Sequence, residues 1–176
     1  MTQLTSRQIK DLFCELDRQL KKQSICGELF LVGGAVMCLV YESRDSTVDI
    51  DAVFHPSSEI RAIAGKIGRK EKIGEKWLND GVKGFLSEAG DYKPYLNLEN
   101  LKVFTATPFY LLAMKCLAMR IGAEFHDVED VRFLIRYLNL ETYEEVLEQI
   151  GKYYPLERFP AKTKYALKEL LSKINR

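Results

Sequence analysis

The sequence has no long hydrophobic run and almost no net charge. Among its 176 residues no apolar stretch approaches the roughly 20 residues that a membrane-spanning helix needs. The charged N-terminal segment also lacks the uninterrupted apolar core of a secretory signal. Lysine and arginine total 26 against 25 aspartates and glutamates, so overall charge does not indicate a nucleic-acid or membrane binder. We therefore expect a cytoplasmic protein with no membrane segment.

The sequence also lacks closely spaced metal-binding or redox residues. Its four cysteines are far apart, no C-x-x-C pair occurs, and only two histidines are present. This composition predicts neither a zinc site nor a dithiol motif. The cysteines are expected to be reduced and mostly buried thiols: Cys14, Cys26, Cys38 and Cys116.

The front of the sequence alternates helix and strand signals. Apolar residues at helical spacing predict a first helix over about residues 6–22. A short apolar run at 28–32 predicts a buried strand that ends at Gly33-Gly34 and is followed by a helix. Residues 47–54 alternate strictly and are rich in β-branched side chains, which predicts a second strand with Val48 on its apolar face.

The rear of the sequence is typical of helices. Residues 101–105 alternate weakly and are predicted as a further strand, after which Pro108 begins an apolar helix. Thr142 and Glu145 form the pattern of a capping box at the start of a later helix.

These patterns predict one α+β domain. No internal repeat or linker divides the chain, and 47% hydrophobic residues are enough for a single core. We predict an α+β half at the front and a C-terminal helical half. The predicted domain covers residues 1–176, with a site-bearing α/β half at 1–106 and a helical half at 107–176.

Asp49 and Asp51 are two residues apart on the predicted strand, so their side chains share one face. Their Cα atoms are expected roughly 6.5 to 7 Å apart, which lets the carboxylate oxygens converge on one Mg²⁺ ion. An isolated pair of this kind is also typical of a solvent-facing strand, because two charges about 6 Å apart repel by only ~0.7 kcal/mol in water. The pair alone leaves both interpretations open.

Gly33 and Gly34 favour the binding interpretation. A strand that ends in two glycines at the start of a helix offers backbone N–H groups that a phosphate approaches without a side chain in the way. Because the strand with Asp49 and Asp51 follows, the sequence predicts a triphosphate-binding turn beside a metal-binding pair.

Two segments resemble the signature of the nucleotidyltransferase (DNA polymerase β-like) superfamily: LVGG at residues 31–34 and DIDA at residues 49–52. The run at 44–51 is similar to small prokaryotic members related to the nucleotidyltransferase toxins of abortive-infection systems. The matching residues of that run are Arg44, Ser46, Thr47, Asp49 and Asp51.

This resemblance implies a nucleotidyltransferase-like fold, which is a mixed sheet flanked by helices. It also implies a Mg²⁺-dependent transfer of a nucleoside monophosphate from a nucleoside triphosphate to a hydroxyl acceptor. The acceptor is left open and includes a protein or a tRNA, and a cognate toxin–antitoxin partner is a further implication. Asp49 and Asp51 would be the catalytic metal ligands. The phosphate ligands would be Gly33, Gly34, Arg44, Ser46 and Lys115.

The resemblance continues in the helical half, where residues 110–120 and 126–135 are similar to the family's lysine-bearing helix and the aspartate segment behind it. For Lys115, a triphosphate contact and a lysine that caps the core both remain open. Asp127 and Asp130 are predicted as the N-cap and a first-turn carboxylate of the next helix.

Active superfamily members commonly bring a third carboxylate from a neighbouring strand. The candidates here are Glu99 and Asp80, and neither follows a clear pattern. The alternative prediction is therefore a non-catalytic nucleotide-binding or toxin–antitoxin partner module of the same fold.

Overall fold

The computed structural model describes residues 2–122 and 125–174. The chain forms two compact units, one of residues 1–84 with 92–106 and one of residues 85–91 with 107–176. The first unit holds a mixed five-stranded sheet with helices, and the second is built of helices, which confirms the predicted fold class. That the chain acts as a single domain over 1–176 stays a prediction.

The strands of the described residues lie in the first unit. Their bounds are β1 (Leu4–Thr5), β2 (Gly27–Leu31), β3 (Ser46–Thr47), β4 (Ile50–His55), β5 (Leu78–Asn79), β6 (Tyr92–Asn97) and β7 (Leu101–Ala106). The large sheet has the order β5-β4-β2-β7-β6. Strand β2 is antiparallel to β4 and parallel to β7, β5 is parallel to β4, and β6 is antiparallel to β7. A separate antiparallel pairing joins β1 to β3.

The helices confirm most of the sequence-based predictions. Their bounds are α1 (Ser6–Lys22), α2 (Gly33–Leu39), α3 (Ser57–Lys70), α4 (Pro108–Leu117), α5 (Asp127–Tyr137), α6 (Tyr143–Gly151) and α7 (Ala161–Ile174). The predicted capping box is present, with Thr142 accepting from the Glu145 N–H and the Glu145 carboxylate accepting from the Thr142 N–H. In the described residues no helix is both long enough and apolar enough to cross a bilayer.

One face of the large sheet packs against helices α1 and α3. A Cβ atom on Gly27 would lie 3.0 Å from Leu20 of α1 and 3.1 Å from Ile60 of α3. Leu29 and Leu31 follow Gly27 on that face and are fully buried, and each such side chain contributes about 1.5–3 kcal/mol. The helices therefore hold β2, and with it the glycine turn at its end, in a fixed place.

The opposite face of the sheet is half-buried. It carries Asp51, and it carries Phe30, whose ring stacks on Phe104 at a centroid distance of 4.9 Å. Neighbouring strands thus place aromatic side chains on the same face as one predicted metal ligand.

The predicted strand at 47–54 is wrong at its beginning. Thr47 belongs to β3, pairs with Leu4 and is buried, whereas Val48 is 37% exposed rather than on the apolar face. The chain leaves one pairing after Thr47 and enters another at Ile50, so the alternation of side chains restarts between them.

Only two of the four cysteines, which were predicted to be mostly buried, are buried. Cys38 and Cys116 are buried, Cys14 and Cys26 are exposed, and none of the four forms a disulfide. Burial raises the pKa of the Cys116 thiol.

Candidate active site

The first glycine of the turn lies against a predicted metal ligand. Gly33 has a φ of +68°, a left-handed conformation that favours glycine. A Cβ atom there would lie 3.1 Å from Oδ2 of Asp51. The Val32 N–H donates to the Asp51 carbonyl at 3.0 Å, which ties the end of β2 to β4 at this level. Backbone pairing therefore brings the glycine turn and the Asp51 carboxylate together.

The second glycine lies against a cation and a hydroxyl. A Cβ atom on Gly34 would lie 2.9 Å from Oγ1 of Thr47 and 3.1 Å from Nη1 of Arg44. Any side chain at this position would displace one of them. The absence of a Cβ therefore lets a guanidinium and a hydroxyl approach the backbone of the turn.

The hydroxyl at the turn belongs to Thr47, whereas Ser46 points elsewhere. The Ser46 hydroxyl donates to Oε1 of Gln3 at 3.1 Å, and Gln3 lies just before strand β1. Consecutive strand residues point to opposite sides, so only one of these two hydroxyls lies next to Gly34. The alternation of side chains along a strand shows from the sequence that Ser46 and Thr47 point to opposite sides. Which of the two hydroxyls lies at the glycine turn depends on the pairing of β3 with β1, which the sequence does not show.

Asp49 lies one residue before β4 and contacts a side chain that the sequence did not single out. Its Oδ2 accepts a hydrogen bond from Nδ2 of Asn79 at 3.1 Å. Asn79 lies on β5, where it is the register partner of Asp51. Ile50, between the two aspartates, is fully buried, while both aspartates are half-buried, so the strand directs both carboxylates away from the core.

The donor set suits Mg²⁺ bound together with a nucleotide. Within residues 2–122 and 125–174 no cluster of three or more histidine, cysteine and acidic side chains could hold a metal alone. Mg²⁺ in phosphate-transfer sites is commonly held by one or two carboxylates plus substrate phosphates. Asp49 and Asp51 match that requirement in number and in ligand type.

Glu99 lies at the wrong end of the sheet to join these aspartates. It forms an exposed ion pair with Lys21 at 2.7 Å. The neighbouring Asn100 carbonyl accepts from the Gly27 N–H at the start of β2, whereas the glycine turn follows the end of β2. The five residues of that strand separate the two ends by roughly 16 Å.

Asp80 is engaged by two cations. Its carboxylate pairs with Lys83 and with Arg61, each at 2.5 Å. The hydrogen bond from Lys83, aided by that from Arg61, holds the pKa of Asp80 below its ordinary value. Neither candidate for the third carboxylate therefore faces the aspartate pair in the described residues.

In the second unit, Lys115 lies in a buried ionic cluster. Its Nζ atom is 2.7 Å from Asp130 and 3.3 Å from Asp127, and the Lys115 side chain is only 10% exposed. Nε of Arg120 lies 2.9 Å from the other oxygen of Asp127. The role of Lys115 as a phosphate ligand stays a prediction. Its ion pairs with Asp127 and Asp130 are a feature of the fold.

The prediction that Asp127 caps α5 is wrong. The N-cap residue is His126, and Asp127 is the first helical residue, whose carboxylate binds Lys115 and Arg120 instead of the helix end. Burial by itself would raise the pKa of Asp127. The hydrogen bonds from Arg120 and the charges of Lys115 and Arg120 outweigh burial and hold that pKa below its ordinary value.

The family described as "nucleotidyltransferase of unknown function (DUF6036)" matches residues 7–166. The chain belongs to this family, which confirms the nucleotidyltransferase resemblance of its sequence. Searches of curated proteins and of solved structures found no match to the chain. The similarity to toxin–antitoxin proteins stays a prediction.

Proposed function

We propose that this protein binds a nucleoside triphosphate with Mg²⁺ at Asp49 and Asp51 and transfers the nucleoside monophosphate to a hydroxyl acceptor. The proposal rests on the position of the Asp51 carboxylate beside the glycine turn. Oδ2 of Asp51 lies 3.1 Å from the place that a Cβ atom on Gly33 would occupy. A phosphate lying over that turn is within reach of a cation held by the carboxylate.

In this proposal the chain's own residues hold and orient the triphosphate. Asp49 and Asp51 hold the cation, and Arg44 places a positive charge beside Gly34, where charge develops on the phosphates. The Thr47 hydroxyl lies at the same place and donates its proton to the Asp49 carbonyl at 3.2 Å, which links the glycine turn to the segment that carries Asp49. Bound Mg²⁺ supplies charge neutralisation and a lowered acceptor pKa. Attack of the acceptor oxygen on the α-phosphorus would form the new P–O bond and break the bond from that phosphorus to the α,β-bridging oxygen. Pyrophosphate would leave with the bridging oxygen, and the proton of the acceptor hydroxyl would pass to water.

Activity is tested by incubating the protein with α-labelled triphosphates, Mg²⁺ and a cell extract. We expect label on one acceptor class, a protein or an RNA such as tRNA, which Asp51→Asn abolishes. The matched control is Asp45→Asn in the loop just before β3, where the carboxylate is exposed. Equal labelling by wild type and Asp51→Asn refutes the mechanism.

A second candidate function is a non-catalytic nucleotide-binding module, for example a partner in a toxin–antitoxin pair. It is favoured by the positions of Glu99 and Asp80. Their carboxylates form ion pairs with lysine and arginine side chains and do not join the Asp49 and Asp51 pair. Without a third acid, deprotonation of an acceptor is harder, while a site with two carboxylates can still bind a nucleotide. Mg²⁺-dependent nucleotide binding without transfer of label to any acceptor would favour this candidate. A cytoplasmic location is part of both candidates.

A further inference from the structure

Asn79 is fixed in one orientation by two partners of opposite character. Its Oδ1 accepts the backbone N–H of Gly81 at 3.0 Å, and its Nδ2 donates to Oδ2 of Asp49 at 3.1 Å. A backbone N–H needs an acceptor and a carboxylate needs a donor, so the two ends of the amide are not interchangeable. The last residue of β5 therefore presents a fixed N–H donor to one aspartate of the pair.

Asp49 has more need of such a support than Asp51. Asp51 is within β4, where the ladders to β2 and β5 fix its backbone. Asp49 lies in the short segment between β3 and β4, outside both strands. Its carbonyl accepts from the Thr47 hydroxyl at 3.2 Å, and its carboxylate is held by Asn79.

We propose that Asn79 is a positioning residue that orients the Asp49 carboxylate for the metal. This inference rests on the proposed function. The hydrogen bond from Asn79 holds Oδ2 of Asp49, so that Oδ1 would remain available to hold the cation together with Asp51. Side chains that orient metal ligands in this way commonly change metal affinity by about 10–100-fold when they are removed.

The alternative role of Asn79 is only to cap the turn at Gly81. Two variants separate the roles. Asn79→Ala removes both hydrogen bonds, whereas Asn79→Asp keeps an acceptor for the Gly81 N–H and replaces the donor to Asp49 with a like charge. Asn97→Ala, at the exposed end of the far edge strand β6, is the matched control.

The experiment measures melting temperature in Mg²⁺ titrations, with and without the triphosphate that stabilises the wild type most. We expect Asn79→Ala to raise the Mg²⁺ concentration for half of the nucleotide-induced stabilisation by about 10–100-fold. We expect Asn79→Asp to melt below wild type without cation and to regain the loss with Mg²⁺ alone, because the cation relieves carboxylate repulsion. The control follows wild type in both titrations.

Three outcomes overturn the proposal. If the melting temperature of the wild type, like that of Asp51→Asn, shows no Mg²⁺-dependent response to any triphosphate, the proposed function is wrong and this inference falls with it. A wild type that responds while Asn79→Ala has the same Mg²⁺ dependence removes the positioning role alone. Asn79→Asp behaving as wild type with and without Mg²⁺ leaves Asn79 as a turn cap.

Discussion

Replacing Lys115 by methionine removes a buried charge while keeping a long unbranched side chain. The aspartates that bind it are nearly inaccessible, since the side chain of Asp130 is 3% exposed and that of Asp127 is 7% exposed. Removing one partner of a buried ion pair costs about 3–5 kcal/mol, because the remaining charge stays in a low dielectric. Arg120 continues to offset Asp127, so we expect the lower end, about 3 kcal/mol.

A loss of about 3 kcal/mol corresponds to a fall of roughly 6–12 °C in melting temperature for a chain of this size. Thermal and urea unfolding measure it. The matched control is Lys173→Met, because Lys173 pairs with Glu169 at 2.6 Å and both side chains are more than 60% exposed. An exposed pair of this kind contributes only about 0.3–0.5 kcal/mol, so the control is expected to melt close to wild type.

A Lys115→Met protein whose free energy of unfolding is within about 1 kcal/mol of the wild-type value would show that Lys115 is not part of the structural core of its unit. If that stable variant has also lost its response to nucleotide, Lys115 is a phosphate ligand, as the family resemblance implies. A large loss of stability in Lys173→Met as well would show that the buried and exposed pairs had been ranked wrongly.

Three further predictions address the same two regions. Because the pKa of Asp127 is lowered in the folded state, the unfolded state takes up a proton first as pH falls. The stabilisation from the Asp127 carboxylate is therefore complete well above the ordinary aspartate pKa of about 3.9 and is lost as pH falls below it through the lowered folded-state pKa. Urea unfolding against pH therefore slopes less in Asp127→Asn than in wild type, and equal slopes would contradict this. Gly33→Ala and Gly74→Ala both force alanine into a positive φ, so each is expected to lower the free energy of unfolding by about 1–2 kcal/mol. Only at Gly33 does the new Cβ meet a carboxylate. Calorimetry is therefore expected to show a loss of nucleotide binding in Gly33→Ala but not in Gly74→Ala. Thr47→Val is expected to weaken nucleotide binding more than Ser46→Ala, because only the Thr47 hydroxyl lies at the glycine turn, and the reverse order would contradict that assignment.

Local patterns in the sequence predict much of the fold. The apolar run before Gly33-Gly34, the capping box at Thr142 and the helix after Pro108 each depend on residues close together in the chain, and the structure confirms them. Strand β6 gave no signal because Pro94 interrupts its alternation at a bulge. Such a strand is defined by its partner, β7, rather than by its own sequence.

The candidate site was predictable only in part for the same reason. Gly33 and Asp51 form a motif that the sequence shows directly, while their contact depends on how β2 pairs with β4. Asn79 lies 30 residues from Asp49, in a segment without periodicity, and reaches it only because β5 pairs with β4. The choice between Thr47 and Ser46 likewise depends on the pairing of β3 with β1.

The proposed function requires that Asp49 and Asp51 bind the metal-bound triphosphate at the glycine turn. Isothermal titration of ATP, CTP, GTP and UTP into wild type, Asp51→Asn and Asp45→Asn, each with Mg²⁺ and with excess chelator, measures this binding. We expect at least one triphosphate to bind only with Mg²⁺, at least about tenfold more weakly to Asp51→Asn than to wild type, and equally well to Asp45→Asn. Binding of equal affinity in wild type and Asp51→Asn, or binding unaffected by the chelator, would contradict the proposed function.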